Sequence, residues 1–273
     1  MEILAAQNNK SIVFIYEAFG TCMLLYAINL QVGETFGQFG IAFMLFACLL
    51  IGGPITGAHY NPAVTVGVYI SNTHWREDFG MFCLTIFAQV FGAFIGILLA
   101  WSSLYNNSGS VATIHQTPYG HVPLTSTAIL LPSQPGVALH NAFQIEMICT
   151  FIFVMINLLV KTGKTSPTND GFLSCLAVAF TLLAMICVAG SKTGACLNPA
   201  VGIAQTIYEV ILFGNNTPGT SYSPDEFSNY LWLYTLAPTT GAIFAGLAHR
   251  GHLICYDRMA VQDGGLNVSK LIE

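Results

Sequence analysis

Gly57-Ala58-His59-Tyr60-Asn61-Pro62-Ala63-Val64 and Gly194-Ala195-Cys196-Leu197-Asn198-Pro199-Ala200-Val201 are one phrase written twice, differing only at His59 against Cys196 and Tyr60 against Leu197. Asn is among the best helix N-caps, and Pro is favoured at the first helical position, where its missing N–H costs nothing. Each Asn-Pro-Ala, Asn61-Pro62-Ala63 and Asn198-Pro199-Ala200, therefore starts a helix. The apolar segments that follow, 62 to 71 and 199 to 213, are too short to cross roughly 30 Å of hydrocarbon. They read as re-entrant half-helices.

Working outward, two further pairs of anchors repeat in the same order. Glu17-x-x-x-Thr21 precedes the first phrase and Glu146-x-x-x-Thr150 the second; Ala88-x-x-x-Gly92-Ala93 follows the first and Ala237-x-x-x-Gly241-Ala242 the second. Apolar runs near 20 residues lie at 11–30, 36–53, 79–103, 142–160, 172–190 and 229–249, each long enough to be a membrane span. The repeats, at about 11–104 and 140–250, thus hold three spans apiece within a single domain covering 1–273. Because three is odd, the second copy enters the membrane from the opposite face, and the halves are inverted repeats. The two Asn-Pro-Ala starts then come from opposite faces, with their positive dipole ends meeting near the midplane. Non-helical backbone at that depth, 52–60 and 190–197, is tolerated only where it is buried in protein or lines a polar path.

Composition agrees. Of 273 residues only 8 are Lys or Arg and 13 Asp or Glu, 54% are apolar, and the mean hydropathy is +0.63. Soluble domains carry about a quarter charged residues. Lys10, Arg76, Lys161, Lys164, Arg250, Arg258 and Lys270 fall on the side that holds the termini and only Lys192 falls opposite. The positive-inside rule therefore puts the termini in the cytoplasm or an organelle's equivalent compartment. The net charge of -5 is spread out, with no basic patch for nucleic acid. Seven cysteines lie in or beside apolar segments and Cys255 in the tail, at spacings that match neither a metal site nor a disulfide framework. The first ten residues lack a basic stretch followed by an apolar one, so no cleavable signal is expected.

In these residues the chain resembles the aquaporin, or major intrinsic protein, family over nearly its whole length. The resemblance implies an all-α membrane fold, a right-handed bundle of six transmembrane helices plus two re-entrant half-helices. It also implies one pore per protomer, tetrameric assembly, and passive conduction without a cofactor. It assigns Glu17 and Glu146 to bracing the re-entrant loops, and Gln89 with Gly92 and Pro238 with Gly241 to helix packing. Bottom-up, a carboxylate inside an apolar span must face a polar interior and find partners, and small residues such as Gly92, Gly96, Gly241 and Gly246 let helices approach closely.

The departure is at the outer filter, where the family usually places Arg directly after the second Asn-Pro-Ala and this chain has Val201. By spacing from the two asparagines, the other filter positions map to Ile41, Ile186 and Ala195, all apolar; a slip of one or two residues on the second span would substitute Ala42 or Phe43. The Asp that marks the glycerol-conducting branch is replaced by Gly202, and the aromatic pair before the proline of the sixth span is half matched by Tyr234-Thr235. The loop 104–140 is long, polar and expected outside, with His115 and His121 in reach of the mouth. Asn106 and Asn215 head glycosylation sequons, and 214–226 is an insertion relative to the first half.

The expectation is a passive channel for water and small uncharged solutes such as ammonia, glycerol or peroxide, excluding protons and ions. The alternative is a non-conducting subunit of a larger membrane assembly, because an apolar constriction can close a pore by dewetting. No nucleophile, base and orienter set suggests an enzyme, and no metal is called for.

Overall fold

Long apolar stretches become helices, as in α1 (Lys10–Gln31). A computed structural model describes residues 9–31, 35–72, 78–104, 114–117, 120–123, 138–213 and 230–262. Among the described residues the further helices are α2 (Gly37–Thr56), α3 (Pro62–Ser71), α4 (Phe79–Leu104), α5 (Leu139–Lys161), α6 (Gly171–Thr193), α7 (Pro199–Phe213) and α8 (Leu231–Gln262). Six of these are long and apolar enough to cross a membrane. The other two, α3 with 10 residues and α7 with 15, rise only ~15 and ~22 Å at ~1.5 Å per residue.

The exposure pattern is that of a protein solvated by lipid. On α1, Glu17 and Thr21 are fully buried while Ile15 and Phe19 are 60% and 51% exposed. Polar groups are kept inside the bundle because hydrocarbon offers them no partner. Cys22, Cys48, Cys149, Cys175 and Cys196 are buried as small core residues, whereas Cys83 and Cys187 stand on the outer surface of their helices.

The repeat is visible in the packing. In the first half α1 packs on α4 and α2; in the second α5 packs on α8 and α6. The halves join through α2 with α6, α3 with α8 and α4 with α7. Close approaches replace side-chain contacts at the crossings: a Cβ on Gly92 would overlap the backbone of Ala18, and one on Gly241 the backbone of Met147. These are the two symmetry-related small-residue positions, and they set α4 against α1 and α8 against α5.

Three boundaries differ from the sequence reading. α2 runs to Thr56 and α6 to Thr193, so the non-helical backbone is only 57–60 and 194–197. α2 runs through Pro54 and ends two residues later, and Gly57 and Gly194 end the helices in the left-handed conformation at φ 85° and 88°. α8 continues well past 249, because falling hydropathy marks the edge of the membrane and does not stop a helix, and its polar extension carries the Lys164–Asp257 ion pair at 2.8 Å. From the long loop, β1 (Ile114–Thr117) and β2 (Gly120–Pro123) form an antiparallel ribbon, with Ile114 opposite Pro123. Asn106, Asn215, the insertion 214–226 and the side chains of His115 and His121 lie outside the described residues.

Candidate functional site

Asn61 is the N-cap of α3, and its Oδ1 accepts from Ala63 N at 2.7 Å. Asn198 does the same for α7, accepting from Ala200 N at 3.0 Å. The two amide nitrogens then cross between the halves: Asn61 Nδ2 donates to Leu197 O at 2.9 Å, and Asn198 Nδ2 to Tyr60 O at 3.0 Å. A pair 137 positions apart in the chain thus clasps each other's loop, and the N-termini of the half-helices meet.

From this meeting point the half-helices part along α8. Gly202 on α7 lies against Tyr234, where a Cβ would come 2.8 Å from Tyr234 O. On α3, Gly67 O would lie 2.7 Å from a Cβ on Gly246, and Ser71 Oγ bonds His249 Nδ1 at 2.7 Å. α7 therefore occupies the N-terminal part of α8 and α3 its C-terminal part.

The loops reach the asparagines through strained backbone. Ala58, Tyr60, Ala195 and Leu197 have φ of 48°, 51°, 50° and 51°, a region that costs residues with a Cβ roughly 1–2 kcal/mol each. Buried carboxylates hold the strain. Glu17 Oε1 accepts from Thr56 Oγ1 and His59 N, both at 3.0 Å, while Oε2 accepts from Tyr60 N and Gln89 Nε2, both at 2.8 Å. Glu146 Oε1 accepts from Thr193 Oγ1 at 2.6 Å and Cys196 N at 3.0 Å, and Oε2 from Leu197 N at 3.0 Å. The second half has Pro238 where the first has Gln89, which removes one donor.

Several contributors escaped the sequence reading. Thr56 and Thr193 donate to the carboxylates and accept from Ala58 N and Ala195 N at 3.2 and 3.3 Å; extending the repeated phrase one residue backward would have found them. Gln89, expected only in packing, also bonds Thr65 Oγ1 at 2.9 Å, and Thr65 lies 3.2 Å from His59 Nδ1. Tyr60 OH donates to Cys48 O at 3.0 Å. Lys161, counted only as an inside charge, donates to Gly57 O at 2.8 Å and Ala58 O at 3.2 Å.

Of the four filter positions, Ile41 and Ala195 lie in one apolar cluster with Ile186 packed against it. Val201 is 3% exposed in a second cluster with Cys196, Leu233 and Tyr234. Ala42 is buried on α2, and Phe43 is exposed on its outer surface. Gly202 cannot carry the side chain of the glycerol branch without moving Tyr234, whose OH is fixed to Thr193 O at 2.7 Å.

The "Major intrinsic protein" family model matches residues 3–249. "Glycerol uptake facilitator protein-like 6" of Lactiplantibacillus plantarum is 29% identical over 244 residues, 87% of this chain and 96% of that protein. "Aquaporin AqpM" of Methanothermobacter marburgensis is 26% identical over 220 residues, 80% of this chain and 75% of that one. The solved structure of the aquaglyceroporin from Plasmodium falciparum superposes with a TM-score of 0.72, covering 89% of this chain and 96% of that chain at 21% identity; at that identity the likeness concerns the fold.

Proposed function

This chain belongs to the major intrinsic protein family, an integral multi-pass membrane family, and from that premise we propose that it is a passive channel for water and small uncharged solutes that excludes protons and ions. The observation that carries this reading is the asparagine clasp. Each amide nitrogen has two hydrogens, and one is committed to the opposite loop at 2.9 or 3.0 Å. The remaining hydrogen of each is the donor for the permeant. A water oxygen that accepts from both amides turns its own hydrogens away, toward its neighbours in the file. The helix N-termini meeting there place partial positive charge at the same point, which opposes hydronium and metal cations.

The filter sets the solute range. With Val201 in the place of Arg, the outer constriction of Ile41, Ile186, Ala195 and Val201 carries neither a charge nor a fixed donor fork. Small neutral solutes of the glycerol and ammonia kind then pass more readily than in arginine-bearing relatives. Both curated relatives fit this breadth, one being named for glycerol uptake and the other an aquaporin. The exposed apolar faces suit a lipid bilayer and packing into a homotetramer, and the basic residues favour termini on the cytoplasmic, or organelle-equivalent, side.

The same collar favours a second reading, a pore closed by dewetting in a subunit of a larger assembly. Stopped-flow shrinkage of proteoliposomes separates the two, run first with an impermeant osmolyte and then with glycerol. Osmotic permeability above empty vesicles supports the channel. Its absence with folded protein, together with copurification of other subunits at fixed stoichiometry, supports the assembly reading.

A further inference from the structure

We propose that Lys161 is a specificity-determining residue of this channel, a cation barrier at the inner mouth where the family's outer arginine is missing; this rests on the conducting-pore reading. Three observations carry it.

The first is direction. Val154 and Leu158 of α5 reach Gly67 on α3, and Phe153 and Asn157 are 4% and 2% exposed. Residues 153, 157 and 161 follow one another at the four-residue spacing that keeps side chains on one helix face. Lys161 therefore ends a stripe that faces the bundle interior rather than lipid.

The second is contact. The N–H groups of His59 and Tyr60 turn to Glu17 inside the wall, while the oxygens of Gly57 and Ala58 are taken by the Lys161 ammonium. Those oxygens stand three and four residues before Asn61, on the inner approach to the asparagine clasp. Lys161 is an exposed residue at the end of its helix, and its ammonium, with three N–H donors, makes the two loop bonds and keeps one donor over.

The third is asymmetry. Asn157 Oδ1, one turn deeper on the same stripe, is a buried acceptor without an intramolecular partner, as a group facing a water file would be. Matching Glu17 to Glu146, the first half has Ile28 where the second has Asn157. A polar stripe ending in a cation belongs to one end of the pore alone. The charge acts twice, repelling cations and occupying two carbonyl oxygens that would otherwise attract them.

The test compares wild type, Lys161→Arg, Lys161→Gln and Lys161→Met in proteoliposomes, with osmotic water flux, methylammonium uptake and thermal unfolding measured on each. Lys161→Gln keeps a donor for the loop carbonyls while losing the charge. Both neutral variants are expected to take up methylammonium about thirtyfold faster relative to water flux in the same vesicles, the factor for a unit charge ~8 Å from the path at an effective dielectric of ~20. Lys161→Arg stays tight. If Lys161→Met does not fold, Lys161→Gln against Lys161→Arg still decides. A conducting wild type with a methylammonium-tight Lys161→Gln overturns the barrier and leaves the channel standing. A folded wild type that passes no water overturns both.

Discussion

Replacing Glu17 by Leu removes the acceptor of four hydrogen bonds, from Thr56 Oγ1, His59 N, Tyr60 N and Gln89 Nε2. The side-chain donors lose least, because Gln89 keeps Thr65 Oγ1 at 2.9 Å and a hydroxyl can rotate. The two backbone N–H groups have nowhere to go, and each buried orphan costs about 1–3 kcal/mol. The loss is therefore about 2–6 kcal/mol, before the left-handed strain at Ala58 and Tyr60 is released. Glu146→Leu orphans the corresponding two, Cys196 N and Leu197 N, and is expected to cost the same within the share that Gln89 adds to the first half. Glu17→Gln keeps one acceptor oxygen, so it orphans one backbone donor rather than two and costs roughly half as much, about 1–3 kcal/mol. Thermal unfolding of the purified variants in detergent, with osmotic permeability per folded protein, gives the order wild type, Gln, Leu in falling stability. A Glu17→Leu protein with the wild-type midpoint and flux would refute the bracing argument. Equal losses for Gln and Leu would refute the counting of donors.

Asn61→Ala and Asn198→Ala each remove an N-cap, at about 0.5–2 kcal/mol, and one bond of the clasp; a lower unfolding midpoint and reduced water flux are expected in both, and an unchanged flux in the double variant would remove the amides from the mechanism. Val201→Arg is expected to cut glycerol and ammonia flux more than water flux in the same vesicles, and an equal cut in all three would detach Val201 from selectivity. Gly92→Ala and Gly241→Ala force a Cβ into the backbone of Ala18 and Met147 and are expected to destabilise by about 1–3 kcal/mol. Gly53→Ala meets nothing within 4 Å and is expected to be neutral or stabilising by up to ~1 kcal/mol, so the three unfolding midpoints should separate.

Most of the architecture was legible in one dimension because its causes are local or repeated. A span needs only length and hydropathy, a helix start needs only Asn before Pro, and inversion needs only an odd number of spans in each copy. Both half-helices start where those rules put them, at Pro62 and Pro199. At one of the boundaries that differ, the end of α8, the cause is equally local: falling hydropathy marks the edge of the membrane, and it does not stop a helix.

The tertiary structure decided which groups meet. That Asn61 holds Leu197 O and Asn198 holds Tyr60 O, that Gln89 completes the shell of Glu17 while Glu146 has no such donor, and that Gly202 lies too close to Tyr234 for a side chain are contacts between distant parts of the chain. Lys161 is the clearest case. In sequence it is one more basic residue near a span end, and a charge tally cannot distinguish it from Lys164, which pairs with Asp257. Its place at the loop carbonyls is set by the packing of α5 on α3, because the direction of a side chain is fixed only when the helix that bears it has a neighbour.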